Sequence, residues 1–362
     1  MKITKVESFR VEVPLTAQQQ GMAGYYNSTG ITRVGTDEGI TGYGFTQCDA
    51  EEVAGILVGE DPFAVERHLE AGLARWFGAE NALWDIIGKS AGLPLNKLWG
   101  CYRERMILYL TCVWSGAADQ SDVTPRQQAE QIARYAERGY RAVKIRIWRP
   151  DLMEDVETVR LVRELIGGPE RMEVMFDRTG AAAPWTWDYD TALKAARALE
   201  EVQATWLEEP FERGNIELPA RLRNEVDIPI TGGEHQPYPV YPGYIGGESF
   251  DIVQPHCANV LRHLKSVADM AEAFGQKCIF HGSHGMNLIA SLQVGATIRS
   301  CDRQELVYTV PPMMPEDAWS PLNALVEGGQ LYTVKDGYIE IPQEPGLGVK
   351  VDEEAIERYR VD

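Results

Sequence analysis

Three acidic residues end successive apolar runs in the middle of the sequence. Asp177 closes the run MEVMFD, Glu208 lies in ATWLEEP, and Glu234 closes IPITGGE. Like charges that meet in one small volume cannot all stay ionised without a cation. Carboxylate oxygens with no Cys or His among them suit Mg²⁺. One such acid is usually a solvated loop residue, but three at consecutive strand ends predict a magnesium site.

Basic and imidazole side chains follow the same pattern. Lys144 and Arg146 lie two residues apart in AVKIRIW, so an extended strand places both on one face. His281 ends the run KCIFH, and His284 follows three residues later. A neutral imidazole at a strand end beside a metal ion can remove a proton whose acidity the metal raises. We therefore predict that His281 is a general base.

The elements that must position these residues are short apolar runs that alternate with amphipathic helices. Most gaps between the runs hold a helical pattern, such as PRQQAEQIARYAERG or LKSVADMAEAFG. Eight such units predict a (β/α)8 barrel rather than a doubly wound sheet, and the active face of a barrel lies at the carboxyl ends of its strands. The predicted strands are 107–114, 142–148, 172–177, 204–210, 228–234, 250–255, 277–281 and 305–309.

The two ends of the chain lie outside this alternation. The first 50 or so residues have the pattern of a strand meander followed by helices, and the last segment is again turn-rich and strand-like. We predict an α+β capping domain at 1–105 and a barrel at 106–315. A C-terminal segment at 316–362 is predicted to return to the capping domain.

A polar, glycine-containing loop near residues 15–30 interrupts the first strands. Tyr25 and Tyr26 lie at its tip. Aromatic residues at such a place are either exposed to solvent or turned toward a substrate, because binding residues are frequent on loops. The sequence leaves both interpretations open.

The composition excludes several classes of partner. Acidic residues outnumber basic ones by 54 to 35, and the net charge of −19 repels phosphate backbones and anionic lipid surfaces. No apolar run reaches the roughly 18 residues of a membrane span, and the first residues lack the features of a signal peptide. We expect a cytoplasmic protein with six free thiols and no nucleic-acid or membrane partner. An anionic small substrate then needs a local cluster of metal ion, Lys and Arg.

Six motifs occur in order along the chain. They are V-x-T-D-x-G-x-x-G-x-G (Val34–Gly44), A-L-W-D-x-x-G-K-x-x-G-x-P-L (Ala82–Leu95), V-K-x-[KR] (Val143–Arg146), L-E-E-P (Leu207–Pro210), G-G-E (Gly232–Glu234) and D-I-V-Q-P (Asp251–Pro255). In this combination the chain resembles the enolase superfamily, and within it the mandelate racemase branch, over essentially its whole length. The resemblance implies a modified TIM barrel of the (β/α)7β type, an α+β N-terminal capping domain completed by the C-terminal segment, and a homo-oligomer.

The resemblance also implies roles for single residues. Asp177, Glu208 and Glu234 fall where the family binds Mg²⁺. His281 falls on the general base of the seventh strand. Glu305 falls on the acid of the eighth strand that hydrogen-bonds the enolate side of the substrate carboxylate.

The pair on the second strand and the rim residues complete the implied site. Lys144 and Arg146 occupy a K-x-K pair, of which the first member helps to hold the carboxylate and the second is often a base. Substrate-binding positions fall on Tyr25, Tyr26, Arg178 and His284.

The sequence departs from the family pattern at several of these positions. Arg146 replaces a lysine. Because a guanidinium stays protonated, Arg146 cannot readily serve as a second base, which argues against a two-base racemase. His256 stands where the branch has the Asp that orients the histidine of strand seven. The tautomer of His281 is then set by His256 itself or by Asp251, so His256 joins the candidate catalytic residues. Asn259 lies near the lysine of muconate-cycloisomerase-like members, which argues against dipeptide epimerisation.

Together these features predict a Mg²⁺-dependent enzyme of carbohydrate catabolism whose substrate is a small-molecule carboxylate. We expect it to abstract the α-proton of a sugar acid, which gives an enediolate, and to eliminate a β-hydroxyl as water. The product would be a 2-keto-3-deoxy acid. One alternative keeps the same enolate and ends in isomerisation, by a sugar-lactone cycloisomerase or an epimerase. A second alternative is a barrel that binds a carboxylate without catalysis.

Overall fold

The computed structural model describes residues 1–20, 24–112, 123–147, 149–180, 186–308 and 314–361. Its first part is an antiparallel sheet with the strand order β14-β1-β2-β3. The final strand of the chain thus pairs with the first. The strands are β1 (Ile3–Glu12), β2 (Ser28–Thr36), β3 (Thr41–Gly44) and β14 (Arg360–Val361).

Helices cover this sheet and continue the first part of the chain. A short helix lies in the segment predicted to be a loop, and four more follow the meander. They are α1 (Ala17–Gln20), α2 (Ala50–Leu57), α3 (Val65–Glu70), α4 (Phe77–Ala91) and α5 (Leu95–Leu98). α4 packs directly on β3, and a side chain at Gly42 would collide with the Ala82 carbonyl of α4. This explains one glycine of the first sequence motif.

The second sheet is a closed parallel barrel. Its strands pair in chain order, the last one returns to pair in parallel with the first, and a bridge between Ser283 and Leu306 joins the seventh strand to the eighth. The strands are β4 (Arg105–Cys112), β5 (Ala142–Arg146), β6 (Glu173–Asp177), β7 (Leu207–Glu208), β8 (Ile230–Gly232), β9 (Ile252–Val253), β10 (Lys277–Cys278) and β11 (Arg303–Tyr308). The predicted fold class is confirmed.

Helices connect the barrel strands and surround them, and most of these helices are amphipathic. They are α6 (Pro125–Glu137), α7 (Leu152–Ile166), α8 (Tyr189–Glu201), α9 (Glu217–Glu225), α10 (Tyr241–Gly246), α11 (Leu261–Ala273) and α12 (Leu288–Gly295). α6 begins with a complete capping box between Thr124 and Gln127 and has Pro125 in its first turn, a local sequence that favours a helix start. Among the described helices, none combines the length and apolar character that a membrane crossing needs.

The last part of the chain contacts both sheets. Its elements are α13 (Pro315–Ala318), β12 (Val334–Lys335), β13 (Tyr338–Glu340) and α14 (Glu353–Arg358). β12 and β13 form a hairpin, and β13 pairs antiparallel with the start of β4. The boundaries proposed at 105 and 315 stay a prediction.

The second sequence motif ties α4 to the C-terminal segment. The buried Asp85 carboxylate accepts hydrogen bonds from the backbone N–H groups of Tyr43 and Leu347, both at 2.9 Å. A side chain at Gly88 would lie 2.6 Å from the Cα of Gly346, so the two backbones approach too closely for any other residue. These residues of the motif are therefore structural.

Inside the barrel an apolar layer lies beneath the polar strand ends. It consists of Tyr109, Ala142, Met175, Trp206, Ile252 and Ile279. The ring of Trp206 meets Tyr109 edge-on at 5.5 Å. Such layers fill the interior of a TIM barrel, and this layer lies directly below the polar groups, since Tyr109 and Trp206 donate hydrogen bonds to Glu305 and Glu208.

Candidate active site

Lys144 lies at the centre of the acids predicted from the sequence. Its Nζ is 2.6 Å from Glu208 Oε1, 2.9 Å from Glu305 Oε1 and 3.8 Å from Asp177 Oδ2. The pairing of β5, β6 and β7 causes this convergence, because Arg146 is the register partner of Asp177, and Asp177 that of Glu208. All four groups of the Lys144 cluster are almost completely buried.

Glu305 is saturated by hydrogen bonds. Besides Lys144, it accepts bonds from the Thr111 hydroxyl, from the Tyr109 hydroxyl at 3.3 Å and from the backbone N–H of Gly282 at 2.8 Å. Burial alone would raise the pKa of Glu305, but Lys144 and His281 lower it to about 2. In this structure Glu305 is therefore an ionised acceptor that fixes Lys144, and its predicted contact with a substrate stays a prediction.

Glu208 is held from three sides. Its Oε2 accepts bonds from Trp206 Nε1 at 3.1 Å and Gln254 Nε2 at 3.2 Å, in addition to the Lys144 contact on Oε1. Burial raises the pKa of Glu208 to about 7, although Lys144 opposes this. Burial would lower the pKa of Lys144, yet Glu208, Glu305 and Asp177 hold it above its usual range. A cation at this place would relieve the crowding of negative charge.

Asp177 and Arg146 contact one another at the end of their strands. Arg146 Nη1 lies 3.6 Å from Asp177 Oδ2, and it donates to the Thr179 hydroxyl. Asp177 Oδ1 accepts bonds from the Thr179 backbone at 2.6 Å and from its hydroxyl at 2.9 Å. Thr179 has a φ of 55°, an uncommon value for a β-branched residue. This turn fixes the carboxylate plane of Asp177.

Glu234 and His281 form a second contact pair. Glu234 Oε2 lies 2.7 Å from His281 Nε2, which is within ion-pair distance. Burial would lower the pKa of His281, whereas Glu234 and Glu305 raise it. Despite burial, His281, Lys144 and Arg213 hold the pKa of Glu234 below its usual range. The predicted base and the predicted metal ligand are thus direct neighbours.

The chemistry of the buried oxygens fits a hard divalent cation. Asp177 Oδ2 is buried and accepts no hydrogen bond from the described part of the chain. Glu234 Oε2 is also buried and accepts no hydrogen bond from the described residues, although it contacts His281. Buried polar atoms are normally paired, and carboxylate oxygens are the ligands that Mg²⁺ prefers. Asp177, Glu208 and Glu234 are the residues that would hold the ion.

Three imidazole rings lie together beside Glu234. His256 is half-buried and stacks on His281 with centroids 4.7 Å apart and planes 25° apart. His235 lies 4.3 Å from His256 and 5.1 Å from His281. His235 has a φ of 53°, which turns the chain sharply just after Glu234. Sequence reasoning gave His235 no role in the site.

The predicted rim residues are placed differently from one another. Tyr26 stacks on His284, with centroids 4.4 Å and planes 18° apart, and its backbone N–H donates to Ala318. Tyr25 is half-buried and packs against the main core. Arg178 donates to the Ile147 carbonyl at 2.7 Å and lies over the Trp187 ring. Their roles in binding stay predictions.

Sequence reasoning gave no role to Arg213 or to Glu209. Arg213 Nε lies 3.0 and 2.8 Å from the two carboxylate oxygens of Glu209, and its Nη2 contacts Glu234. Glu209 is almost fully buried, and its φ of 46° turns its side chain away from the path of the strand. The spacing of four residues between Glu209 and Arg213 was the available signal, but it is common and lies in a loop.

Comparison with known proteins then places the chain in a family. The family model described as Enolase C-terminal domain-like matches residues 127–355. The chain belongs to the enolase superfamily. The predicted resemblance is confirmed, and the acids on β6, β7 and after β8 stand on a barrel shared by that superfamily.

Named relatives of this superfamily member include lyases and isomerases. The chain is 28% identical over 354 residues to the L-talarate/galactarate dehydratase of Salmonella typhimurium, with 90% of this chain and 81% of that protein covered. It is 30% identical over 286 residues to the 3,6-anhydro-alpha-L-galactonate cycloisomerase of Streptomyces coelicolor, with 77% and 70% covered. The solved D-glucarate dehydratase of Agrobacterium tumefaciens, complexed with magnesium, has the same fold, with a TM-score of 0.80 at 24% identity and 100% of both chains covered.

Proposed function

We propose that this protein is a Mg²⁺-dependent dehydratase of sugar acids. The observation that carries the proposal is the contact between His281 and Glu234, which places an imidazole beside buried carboxylate oxygens that accept no hydrogen bond from the described residues. The dehydratases among the relatives support the reaction class, and the magnesium in the D-glucarate dehydratase structure supports the ion.

When bound, Mg²⁺ supplies Lewis-acid stabilisation of the negative charge that develops on the substrate carboxylate. The chain's own residues do the rest. Lys144 neutralises charge on the same carboxylate, and Glu305 and Glu208 hold its ammonium group in place. The imidazole of His281 accepts the α-proton and then gives it to the departing β-hydroxyl, which leaves as water. Arg146 contributes positive charge and takes no proton, because a guanidinium stays protonated. Burial would lower the pKa of Arg146, but Asp177 outweighs this effect and raises the pKa above its usual value.

Isomerisation is the second candidate function. The relative at 30% identity is a cycloisomerase, and a D-galactarolactone cycloisomerase of Agrobacterium fabrum matches 100% of this chain at 27% identity. In such a reaction the same enolate loses a ring oxygen instead of a hydroxyl. Because one histidine base serves both reactions, only the products distinguish them.

The deciding experiment offers pooled sugar acids and sugar lactones to the protein with Mg²⁺ in D₂O. We expect a 2-keto acid that reacts with semicarbazide. A keto acid lighter than its substrate by one water shows dehydration, whereas a keto acid with the mass of its substrate would favour cycloisomerisation. Exchange of the α-proton by NMR without a keto acid would favour epimerisation. Bound Mg²⁺ and bound acid with neither signal would favour a carboxylate-binding barrel.

The variant His281→Asn tests the base itself. We expect it to abolish α-proton exchange and to leave the affinity for the acid within a few-fold, because Asn cannot accept the proton. An active H281N variant would assign the base to another residue.

The substrate class, the metabolic role, the location and the assembly of the protein are further proposals. We propose that the protein takes a small-molecule carboxylate, works in carbohydrate catabolism in the cytoplasm, and assembles as a homo-oligomer. The family resemblance and the net charge of −19 support these statements. Light scattering of the purified protein tests the assembly, and a mass of 40.5 kDa would contradict it.

A further inference from the structure

His256 occupies the position next to the predicted base. The two residues form a parallel bridge at the ends of β9 and β10, so their side chains leave the barrel on the same side and stack. His256 is half-buried, so its ring is partly open to the barrel mouth. Whatever lies against His281 on that side therefore also lies near His256.

The backbone fixes the tautomer of His256. The N–H of Ala258 donates to His256 Nδ1 at 2.9 Å, so Nδ1 carries a lone pair and no proton. A neutral ring then carries its proton on Nε2. Burial lowers the pKa of His256 to about 3, and the neighbouring rings of His281 and His235 further disfavour a positive charge there, so the ring is neutral near pH 7.

This tautomer argues against a metal ion in the histidine cluster. One nitrogen from each of His235, His256 and His281 lies within 4.8 Å of the others, a set that could hold a transition metal. However, Nδ1 of His256 is taken by Ala258, and a protonated Nε2 has no lone pair for a metal. His256 Nε2 is instead a hydrogen-bond donor.

We infer that His256 is a specificity residue that donates a hydrogen bond from Nε2 to a hydroxyl oxygen of the substrate, beside the carbon that His281 deprotonates. The inference rests on the proposed function, since it needs a hydroxy acid in the site. A carboxylate at this position would only accept hydrogen bonds, whereas His256 presents a donor. His256 transfers no proton, because a neutral imidazole N–H is not acidic at neutral pH.

Two variants separate the donor from the backbone contact. His256→Asn keeps an oxygen for the Ala258 N–H, as in an Asx turn, but has no group at the position of Nε2. His256→Gln places an amide N–H near that position and gives up the short-range contact. We expect H256N to raise KM about tenfold, a change of about 1.4 kcal/mol that is typical of one hydrogen bond, with a smaller effect on kcat. H256Q should stay within about threefold of the wild type.

Other patterns would overturn the inference. A loss in H256Q with a normal H256N would assign the role to the Ala258 turn. Equal losses in both would assign it to ring stacking on His281, and no loss in either would remove His256 from recognition.

The tautomer is testable without any substrate. The protein with its Mg²⁺ is labelled with ¹⁵N-histidine, and H256N identifies the His256 signals. We expect the ¹⁵N shift of an unprotonated Nδ1 and a protonated Nε2. The opposite tautomer would overturn the inference. If the expected tautomer is found but no sugar acid or lactone reacts, the proposed function fails while the donor assignment stands.

Discussion

Each carboxylate oxygen of Glu234 contacts a different basic side chain, and at the scale of single residues this distinguishes it from Glu208. His281 contacts one of its carboxylate oxygens and Arg213 the other. Glu208, by contrast, is fixed by neutral donors as well as by Lys144. The charge of Glu234 therefore acts on both His281 and Arg213.

We expect Glu234→Gln to lower Mg²⁺ affinity at least tenfold, about 1.4 kcal/mol, because a neutral amide replaces a charged ligand. Titration calorimetry with MgCl₂ measures this, and turnover should fall in parallel. Glu212→Gln is the matched control, since Glu212 is exposed in the loop after β7. Full activity in E234Q would contradict the assignment of the metal site.

The bond between Arg213 and Glu209 predicts a stability effect. Arg213→Met leaves the Glu209 carboxylate buried without its cation, which costs about 3 kcal/mol when a buried pair loses one partner. We expect a lower thermal midpoint at pH 7.5 and a partial recovery in the double variant E209Q/R213M. Arg126→Met, which removes an exposed pair with Glu130, should change the midpoint little. No recovery in the double variant would show that Arg213 acts through other contacts.

The sequence predicted the acids and the histidine that end apolar runs and missed Arg213. Asp177 and Glu208 could be predicted from the sequence because they end apolar runs, and parallel strands bring their carboxyl ends together. Arg213 lies in a loop, and the course of a loop is not encoded in a periodic pattern. Whether His256 donates or accepts a hydrogen bond at Nε2 depends on the backbone bond from Ala258, which no residue spacing reveals.

At the scale of secondary-structure elements, the start of α11 shows how the first part of the chain and the barrel are joined. α11 has no side-chain cap of its own. The buried Glu80 on α4 accepts bonds from the N–H groups of Leu261 at 2.9 Å and Arg262 at 3.2 Å. It also accepts a bond from Trp84 Nε1 at 2.7 Å. A carboxylate from another helix thus caps α11.

This cap predicts a pH dependence of stability. Burial raises the pKa of Glu80 to about 7, so the folded state keeps this proton when the unfolded chain has already lost it. The wild type should therefore lose up to about 3 kcal/mol from this group as pH rises from 4.5 through 7. Glu80→Gln cannot titrate, so its stability relative to the wild type should rise over that interval. Unfolding midpoints at pH 5 and 8 test this.

A matched control separates Glu80 from the general effect of pH. Glu70 is exposed on α3, one helix away from Glu80. The difference between E70Q and the wild type should be the same at both pH values. If E80Q behaves in the same way, the carboxylate of Glu80 does not titrate as described.

Element types were predictable, whereas strand ends were not. The apolar run 204–210 predicted seven strand residues, but β7 covers only Leu207–Glu208. The following residue, Glu209, has a positive φ, as does Gly233 after β8. A left-handed residue breaks the ladder of hydrogen bonds, and its position depends on tertiary contacts rather than on hydrophobic pattern.

At the scale of the whole molecule, Asp85 joins parts of the chain that are far apart in sequence. Its carboxylate binds the backbone of β3 and of the C-terminal segment, and Lys89 lies 2.7 Å away from it. Lys89 also donates to the Thr41 carbonyl at 2.8 Å. The sequence motif around Asp85 contributed to the family resemblance, yet only the structure shows that its function is to hold the chain ends together.

We expect Asp85→Asn to lower the free energy of unfolding by about 3 kcal/mol, because its amide group would face a backbone donor and leave it unpaired. Urea denaturation measures this change. Asp269→Asn removes an exposed pair with Lys265 and should alter stability by less than about 1 kcal/mol. Equal effects of the two variants would contradict the role given to Asp85.

The division between strand ends and rim loops has a consequence for how this protein can change. The groups proposed to bind the ion and move the proton stand on the barrel strands or within three residues of their carboxyl ends, whereas Tyr26 and His284 meet between two loops. Loops tolerate exchange far better than barrel strands do. New substrates can therefore be acquired by grafting loops from a relative while the reactive centre is inherited intact.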